Sequence, residues 1–388
     1  MIDFIKNKIY KEEKNIEILK KSNGTSFNDW LSSNDYKKLG EQVIPQNGLK
    51  AIFTFDQADL QNKINRKEKG VMKREAGMDG AKPTFSRGKI GRAIHLDGDE
   101  YLDLGNIGVF RKSDPFSVGM DVWLPSTFKE GVIFHKSEGE RLYNFRGFHL
   151  YYKDGKFEIN MAHAAPSNAI TKISKEKIPK EKWIHIALVY DGSSTAGGFD
   201  LFVDGQKLQM TTTMDQLTKE ILFRREVEPG IQIGGWWRGL GFKGGLVDNI
   251  TVYHRNLIPF EVAVLAGKSK WKDITTKNIT SLGRFERDVL EGYYENILDK
   301  KLRILADSLS FFRKSLADSL EQVEELMVMQ ESKIPKKTYL LHRGHYENKG
   351  KEVFPGTPES VLAFPNHLPK NRLGLAKWLF LPNHPLTS

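Results

Sequence analysis

No cysteine occurs among the 388 residues. That excludes disulfide staples, thiolate-bound zinc, iron–sulfur clusters, thiol nucleophiles and a c-type haem attached to this chain. No run of 18 apolar residues occurs, which rules out a transmembrane helix. The opening Met1-Ile-Asp-Phe-Ile-Lys6 lacks the apolar stretch of a signal peptide. H-E-x-x-H, G-x-S-x-G and P-loop motifs are all missing. Proline is missing from residues 282–329, where the pattern is helical.

At roughly 150 residues per domain the length implies two or three domains. Apolar residues with glycine make up about 45% of the chain, a globular composition. Lys and Arg outnumber Asp and Glu by 59 to 49. Lys63–Arg92 alone holds ten bases against three acids. With glycines at 70, 77, 80, 88 and 91 and Pro83, it reads as a long solvated loop. A nucleic-acid face would need interleaved aromatics, and Phe85 is the only one there, so no nucleic-acid partner is expected.

Residues 1–45 read as a polar helix, Lys6–Lys21, and a linker ending at Pro45. From Gly48 short alternating runs appear between Gly, Asp and Asn turns. They are Leu49–Phe55, Ala93–Leu96, Tyr101–Leu104, Phe116–Trp123, Gly131–His135, Gly147–Tyr152, Lys156–Ala162, Trp183–Tyr190, Phe199–Val203, Ile231–Gly234 and Leu246–Tyr253. Such spacing predicts an all-β sandwich or jelly roll over residues 46–266. In Phe116–Trp123 the apolar positions alternate, as burial on one face requires. After Pro259 the period becomes helical, with Leu290, Tyr294, Leu298, Leu302, Leu305, Leu309, Phe312 and Leu316 in register. One helix over 282–329 would run about 70 Å, so two helices breaking near Asp299 are the compact solution, a coiled coil the alternative. Residues 267–331 form this helical segment. Residues 332–388 carry seven of the 15 prolines and read as an irregular tail.

The β region resembles the concanavalin-A-like, laminin-G-like jelly roll. The resemblance rests on Phe116-Ser-Val-Gly-Met-Asp-Val-Trp123, Trp183-Ile-His-Ile-Ala-Leu-Val-Tyr-Asp-Gly192, Leu201-Phe-Val-Asp-Gly205 and Gly245-Leu-Val-Asp-Asn-Ile-Thr-Val-Tyr253. Asp191–Gly198 and Asp215-Gln-Leu217 narrow it to the variant embedded in planctomycete-type cytochrome-c-associated proteins. Leu341-His-Arg-Gly344, Val353-Phe-Pro-Gly-Thr-Pro358, Ala376-Lys-Trp-Leu379 and Asn383-His-Pro-Leu-Thr387 resemble the start of that family's C-terminal domain of unknown function. The resemblance implies an exported protein, periplasmic, cell-surface or extracellular, that works beside a cytochrome-c domain. The family's haem domain has no counterpart here, so the chain reads as a piece of a longer protein.

Several side chains are candidates for function. The Glu-x-Asp-x-x-Glu pattern of jelly-roll glycosidases is missing, and no strand clusters the acids that glycoside hydrolysis needs, so no catalytic residue is assigned. Trp236 and Trp237 lie in Gly234–Gly245, a loop too rich in glycine to cover a core, so they are expected to offer flat faces to a saccharide. Arg238 and Lys243 would meet its acidic groups, with Tyr143, Phe145 and Arg146 as further contacts. Adjacent strand residues point oppositely, so one Trp could be buried. His185 is expected to be a packed core residue. His342, Arg343 and His345 near Glu331 either pin an irregular segment or belong to an incomplete site. Related jelly rolls hold Ca²⁺ between first and last strands, which nominates Asp56, Asp97 and Asp248 as ligands. The expected function is a non-catalytic carbohydrate-binding or adhesion module. A spacer, or part of an enzyme whose site lies in the flanks, is the alternative.

Overall fold

The computed structural model describes residues 1–74, 81–137, 145–223, 226–236, 239–324 and 336–386. Two units emerge, Met1–Val323 and Glu324–Ser388.

Among the described residues the first unit contains sixteen strands. In chain order they are β1 (Leu49–Phe53), β2 (Val71–Arg74), β3 (Thr84–Arg87), β4 (Arg92–Leu96), β5 (Glu100–Asp103), β6 (Phe116–Trp123), β7 (Glu130–Lys136), β8 (Gly147–Lys153), β9 (Lys156–Ala164), β10 (Asn168–Ser174), β11 (Trp183–Tyr190), β12 (Phe199–Val203), β13 (Gln206–Lys207), β14 (Met210–Asp215), β15 (Gln232–Ile233) and β16 (Gly245–Tyr253). One sheet runs β13-β12-β11-β6-β16-β4-β3, with β1 also on β16; the other runs β14-β10-β9-β8-β7-β15-β5-β2. Their pairings are antiparallel, giving the two-sheet jelly roll expected of this sequence.

Each of the eleven alternating runs overlaps a strand. The unanticipated strands are short, edge-lying or interrupted by charge. β2 and β3 fall inside Lys63–Arg92, so that stretch is not one long loop. Its bases are partly spent: Lys73 pairs with Asp103 and Arg74 with Glu100. In β10 the ammonium of Lys172 is buried against the Ala196 and Phe199 carbonyls and Asp200, which hides a strand behind a charged residue.

Phe116, Val118, Met120 and Val122 point into the inter-sheet core. Phe116 stacks on Phe110 at 4.4 Å and meets Phe148 at 4.8 Å. The opposite face of β6 is buried as well, contrary to simple one-face burial, because other elements cover the outside of this sheet. At one end α-helical residues Val262 and Leu265 pack with Ala187, Val189, Phe202 and Tyr253.

The helices that flank the sandwich in sequence build a second core. Among them are α1 (Ile2–Ser22), α2 (Gly24–Ser32), α3 (Pro259–Leu265), α4 (Trp271–Thr275), α5 (Arg284–Tyr293) and α6 (Lys300–Glu321). Phe27, Leu31, Tyr36 and Leu39 interlock with Phe260, Trp271, Leu290 and Tyr293. The expected break falls at Asp299, whose carboxylate caps α6 by accepting the Leu302 amide at 2.8 Å. α6 pairs antiparallel with α1, tied by Asn23–Asp299, Glu12–Ser308 and Glu13–Arg313. Arg111 joins buried Glu220 and Asp318, fastening α6 to the sandwich.

In the second unit, β17 (Thr338–Leu341) and β18 (Lys349–Val353) form a hairpin and α7 (Arg372–Leu379) follows. Trp378 and His384 meet edge to face at 4.4 Å. His342, Arg343 and His345 are exposed on the hairpin's turn, and Glu331 lies outside the described residues.

Removing the Phe116 ring tests the core directly. Phe116→Ala should cost about 3–5 kcal/mol, the usual range for deleting a buried aromatic, read from urea unfolding.

Candidate functional site

The outer face of the β6 sheet carries a polar cluster that no run of sequence reveals. β6 places Asp121 opposite His185 on one neighbour and opposite Asp248 on the other. All three are buried. β4 and β1 meet end to end on the far edge of β16, and Asp248 sits beside that seam. Asn249 takes φ +49° there, within an irregularity of register between Asp248 and Thr251.

Asp121 is well supplied with partners. His185 donates Nδ1–H to Oδ1 at 3.0 Å, the Lys89 ammonium reaches the same oxygen at 2.9 Å, and Asn249 Nδ2 donates to Oδ2 at 3.0 Å. Burial opposes the charge, yet the His185 bond and the nearby charges of His185 and Lys89 prevail and hold the carboxyl below its ordinary value. His185 is thus buried as expected, on the outer face of its sheet and as a partner of Asp121.

Asp248 is in the opposite condition. Oδ1 accepts the Asn249 amide at 2.8 Å, while Oδ2 is buried with no hydrogen bond. Burial, with the charges of Asp121 and Asp56, outweighs the Asn249 and Ile90 amides and pushes its pKa up to about 7. The β3–β4 hairpin closes over both acids. A Cβ at Gly91 would lie 2.0 Å from Asp56 Oδ1, and one at Gly88 would lie 2.8 Å from Asp248 Oδ2. Of the three expected metal ligands, the fold therefore brings Asp56 and Asp248 to one seam. Asp97 is turned elsewhere: its Oδ1 accepts the Asp99 and Glu100 amides at 2.9 and 2.7 Å, capping its own turn. Among the described residues no group of three or more His, Asp or Glu side chains forms a metal cluster. Carboxylate oxygens such as those of Asp56 and Asp248 are of the kind a hard cation accepts, while the hairpin's backbone reaches them with amides, Arg92 toward Asp56 and Ile90 toward Asp248.

The glycan candidates fare differently. Trp236 is only 4% exposed and roofs the outer face of the other sheet. Its ring stands edge-on to His135 at 4.8 Å and to His149 at 5.5 Å, beside Phe145 and Tyr151. The glycines beside it mark close approach, not exposure: a Cβ at Gly241 would lie 2.1 Å from the Gly98 carbonyl oxygen. Trp236 and Phe145 are packing residues, and the expectation that Trp236 meets a saccharide is corrected. Tyr143, Trp237 and Arg238 lie outside the described residues. Arg146 directs its guanidinium at the His163 carbonyl at 3.2 Å and His163 Nε2 at 3.1 Å, tying the start of β8 to the end of β9. Below Trp236, burial lowers the His135 pKa to about 3, so the ring is neutral, with Ser137 Oγ 2.8 Å from Nδ1. His149 and Glu158 pair at 3.1 Å.

Asp121, Lys89 and Asn249 were not anticipated. The one available signal was an acid inside the apolar Phe116–Trp123 run, and its partners come from strands remote in sequence.

The raised pKa of Asp248 has a definite sign. Its native form holds a proton that the unfolded chain releases near pH 4, so this stabilisation is complete below pH 4 and lost as pH rises through about 7. In chelator the melting temperature should fall between pH 5 and 8, and Asp248→Asn should flatten that fall. Thermal melts across the range check it.

Comparisons place this geometry. A family model described as the concanavalin A-like lectin/glucanases superfamily matches residues 96–263. Searched against curated proteins, the chain finds no match. Among solved structures it is similar to domain 4 of an extracellular arabinanase of Geobacillus stearothermophilus solved with arabinotriose, at 21% identity and TM-score 0.45, covering 57% of this chain and 100% of that one. The binding domain of botulinum neurotoxin serotype D is also similar, at 13% identity and TM-score 0.40, covering 57% and 51%. So is a Trypanosoma rangeli sialidase solved with 2,3-difluorosialic acid, at 15% identity and TM-score 0.39, covering 57% and 33%. The two antiparallel sheets of this chain form a jelly roll consistent with the concanavalin A-like fold, and residues 96–263 within it are similar to that superfamily.

Proposed function

We propose that the jelly roll is a non-catalytic glycan-binding module. The carrying observation is the match of residues 96–263 to a lectin/glucanase superfamily on a sheet face whose carboxylates are already engaged. Glu158 pairs with His149, and Glu228 pairs with Lys136 and accepts the Phe223 amide. Glycoside hydrolysis needs two carboxyls working across one bond, about 5–10 Å apart, and these are spent on neighbours. Trp237, Arg238 and Tyr143 remain the proposed contacts. The test is calorimetric titration of the full chain with neutral and sulfated polysaccharides. Trp237→Ala should weaken binding about tenfold or more; absence of binding to every polysaccharide would retire the proposal. The charge clasp from Arg111 to Glu220 and Asp318 favours a rigid spacer as the second reading.

The proposal extends to a structural Ca²⁺ held by Asp56 and Asp248. Bound only to the native state, it would add about 2.7 kcal/mol at a hundredfold excess over Kd. It would also replace the proton on Asp248, so its benefit should grow with pH. If millimolar Ca²⁺ and chelator leave the melting temperature equal at pH 8, the ion has no place here. The motifs at residues 341–387 support a role beside a cytochrome-c domain in an exported protein. A Cys-x-x-Cys-His motif in the same reading frame would be the direct check.

A further inference from the structure

One end of the sandwich holds an open cavity of about 430 Å³. Its volume falls in the range of about 300–1,000 Å³ common to small-ligand sites. Three lysines line it, Lys129 before β7 and Lys177 and Lys180 before β11, together with Asp154, Tyr152 and Ile178. These residues are scattered between Lys129 and Lys180, so composition alone does not reveal the cluster.

The cavity is built on fixed backbone. Asp154 and Gly155 form the two-residue turn between β8 and β9, with φ +52° and +85°, the conformation that tight hairpins adopt. The Gly155 carbonyl accepts the Ile178 amide at 2.7 Å, which brings the lysine-bearing loop against the turn. Lys180 is held by the Ser126 and Phe128 carbonyls and lies 5.3 Å from the Tyr152 ring centroid. Tyr152 is therefore already covered by a cation and offers no stacking face. Lys129 and Lys177 are exposed, and neither makes an ion pair among the described residues.

Three ammonium groups against one carboxylate select an anion, and the carboxylate refines the choice. Asp154 repels a bare oxyanion but accepts hydrogen bonds from hydroxyl groups. We infer that this cavity binds a saccharide unit bearing a sulfate or carboxylate group, the anion facing Lys129, Lys177 and Lys180 and a ring hydroxyl facing Asp154. This rests on the glycan-binding reading and assigns to it an acidic ligand and a second contact region.

The experiment is calorimetric titration of the full chain at physiological salt with a sulfated disaccharide, its unsulfated counterpart and inorganic sulfate. The sulfated disaccharide should bind tightest. Lys129→Ala and Lys177→Ala, both at exposed positions, should each weaken it about tenfold, as loss of one charge-assisted bond implies. Lys268→Ala, on the exposed turn after α3, should leave it unchanged. If saccharides bind equally well to both cavity variants, the cavity is not the seat, though the glycan reading survives. If no saccharide binds at all, both readings fall. Equal weakening by Lys268→Ala, or inorganic sulfate binding as tightly as the disaccharide, would reduce the effect to general charge attraction and overturn the inference.

Discussion

The pairing of β16 holds the sandwich together. β6 lies along one side of it, and β4 and β1 share the other, so the last strand closes what the first began. At the seam between β4 and β1 the ladder is interrupted, and the acids gather there. Asp121 is satisfied by His185, Lys89 and Asn249; Asp248 keeps one oxygen unbonded. A buried carboxylate oxygen without a partner is costly as an ion, which is why burial raises the pKa of Asp248. The closure of the sheet and the state of that carboxyl are one problem.

The other sheet solves its outer face by packing. Trp236 and Phe145 close over two histidines, and burial keeps His135 neutral. Glycines at 235 and 241 let the covering loop lie against Tyr101 and the Gly98 carbonyl without a side chain between them. A neutral histidine beneath an indole is a quiet arrangement chemically. The open, charged ground lies instead at the end of the sandwich, around Lys129 and Lys177.

Much of the fold was legible because period-two alternation depends on neighbours in sequence. Phe116–Trp123 and Leu246–Tyr253 announce themselves in this way. β10 did not, because Lys172 buries its stem and satisfies its ammonium with carbonyls from a distant turn. β2 and β3 are edge strands, where exposed bases are tolerated and the alternation fades. The candidate site was half legible. Asp56 and Asp248 could be nominated, but Asp97 could not be separated from them without the turn it caps. The glycine-rich loop misled, since glycine serves both freedom and close approach, and only the surrounding backbone tells which.

The pairing of α1 with α6 also governs the order in which the molecule can be made. Asn23 meets Asp299, 276 residues later, and the whole sandwich lies between them in sequence. At a synthesis rate of about 5–20 residues per second, α1 waits on the order of tens of seconds on the ribosome for its partner. During that interval Phe27, Leu31 and Tyr36 have no core to enter, because Phe260, Trp271 and Tyr293 do not yet exist. The jelly roll can close as soon as β16 emerges, whereas the helical body that brackets it can assemble only after the sandwich is complete.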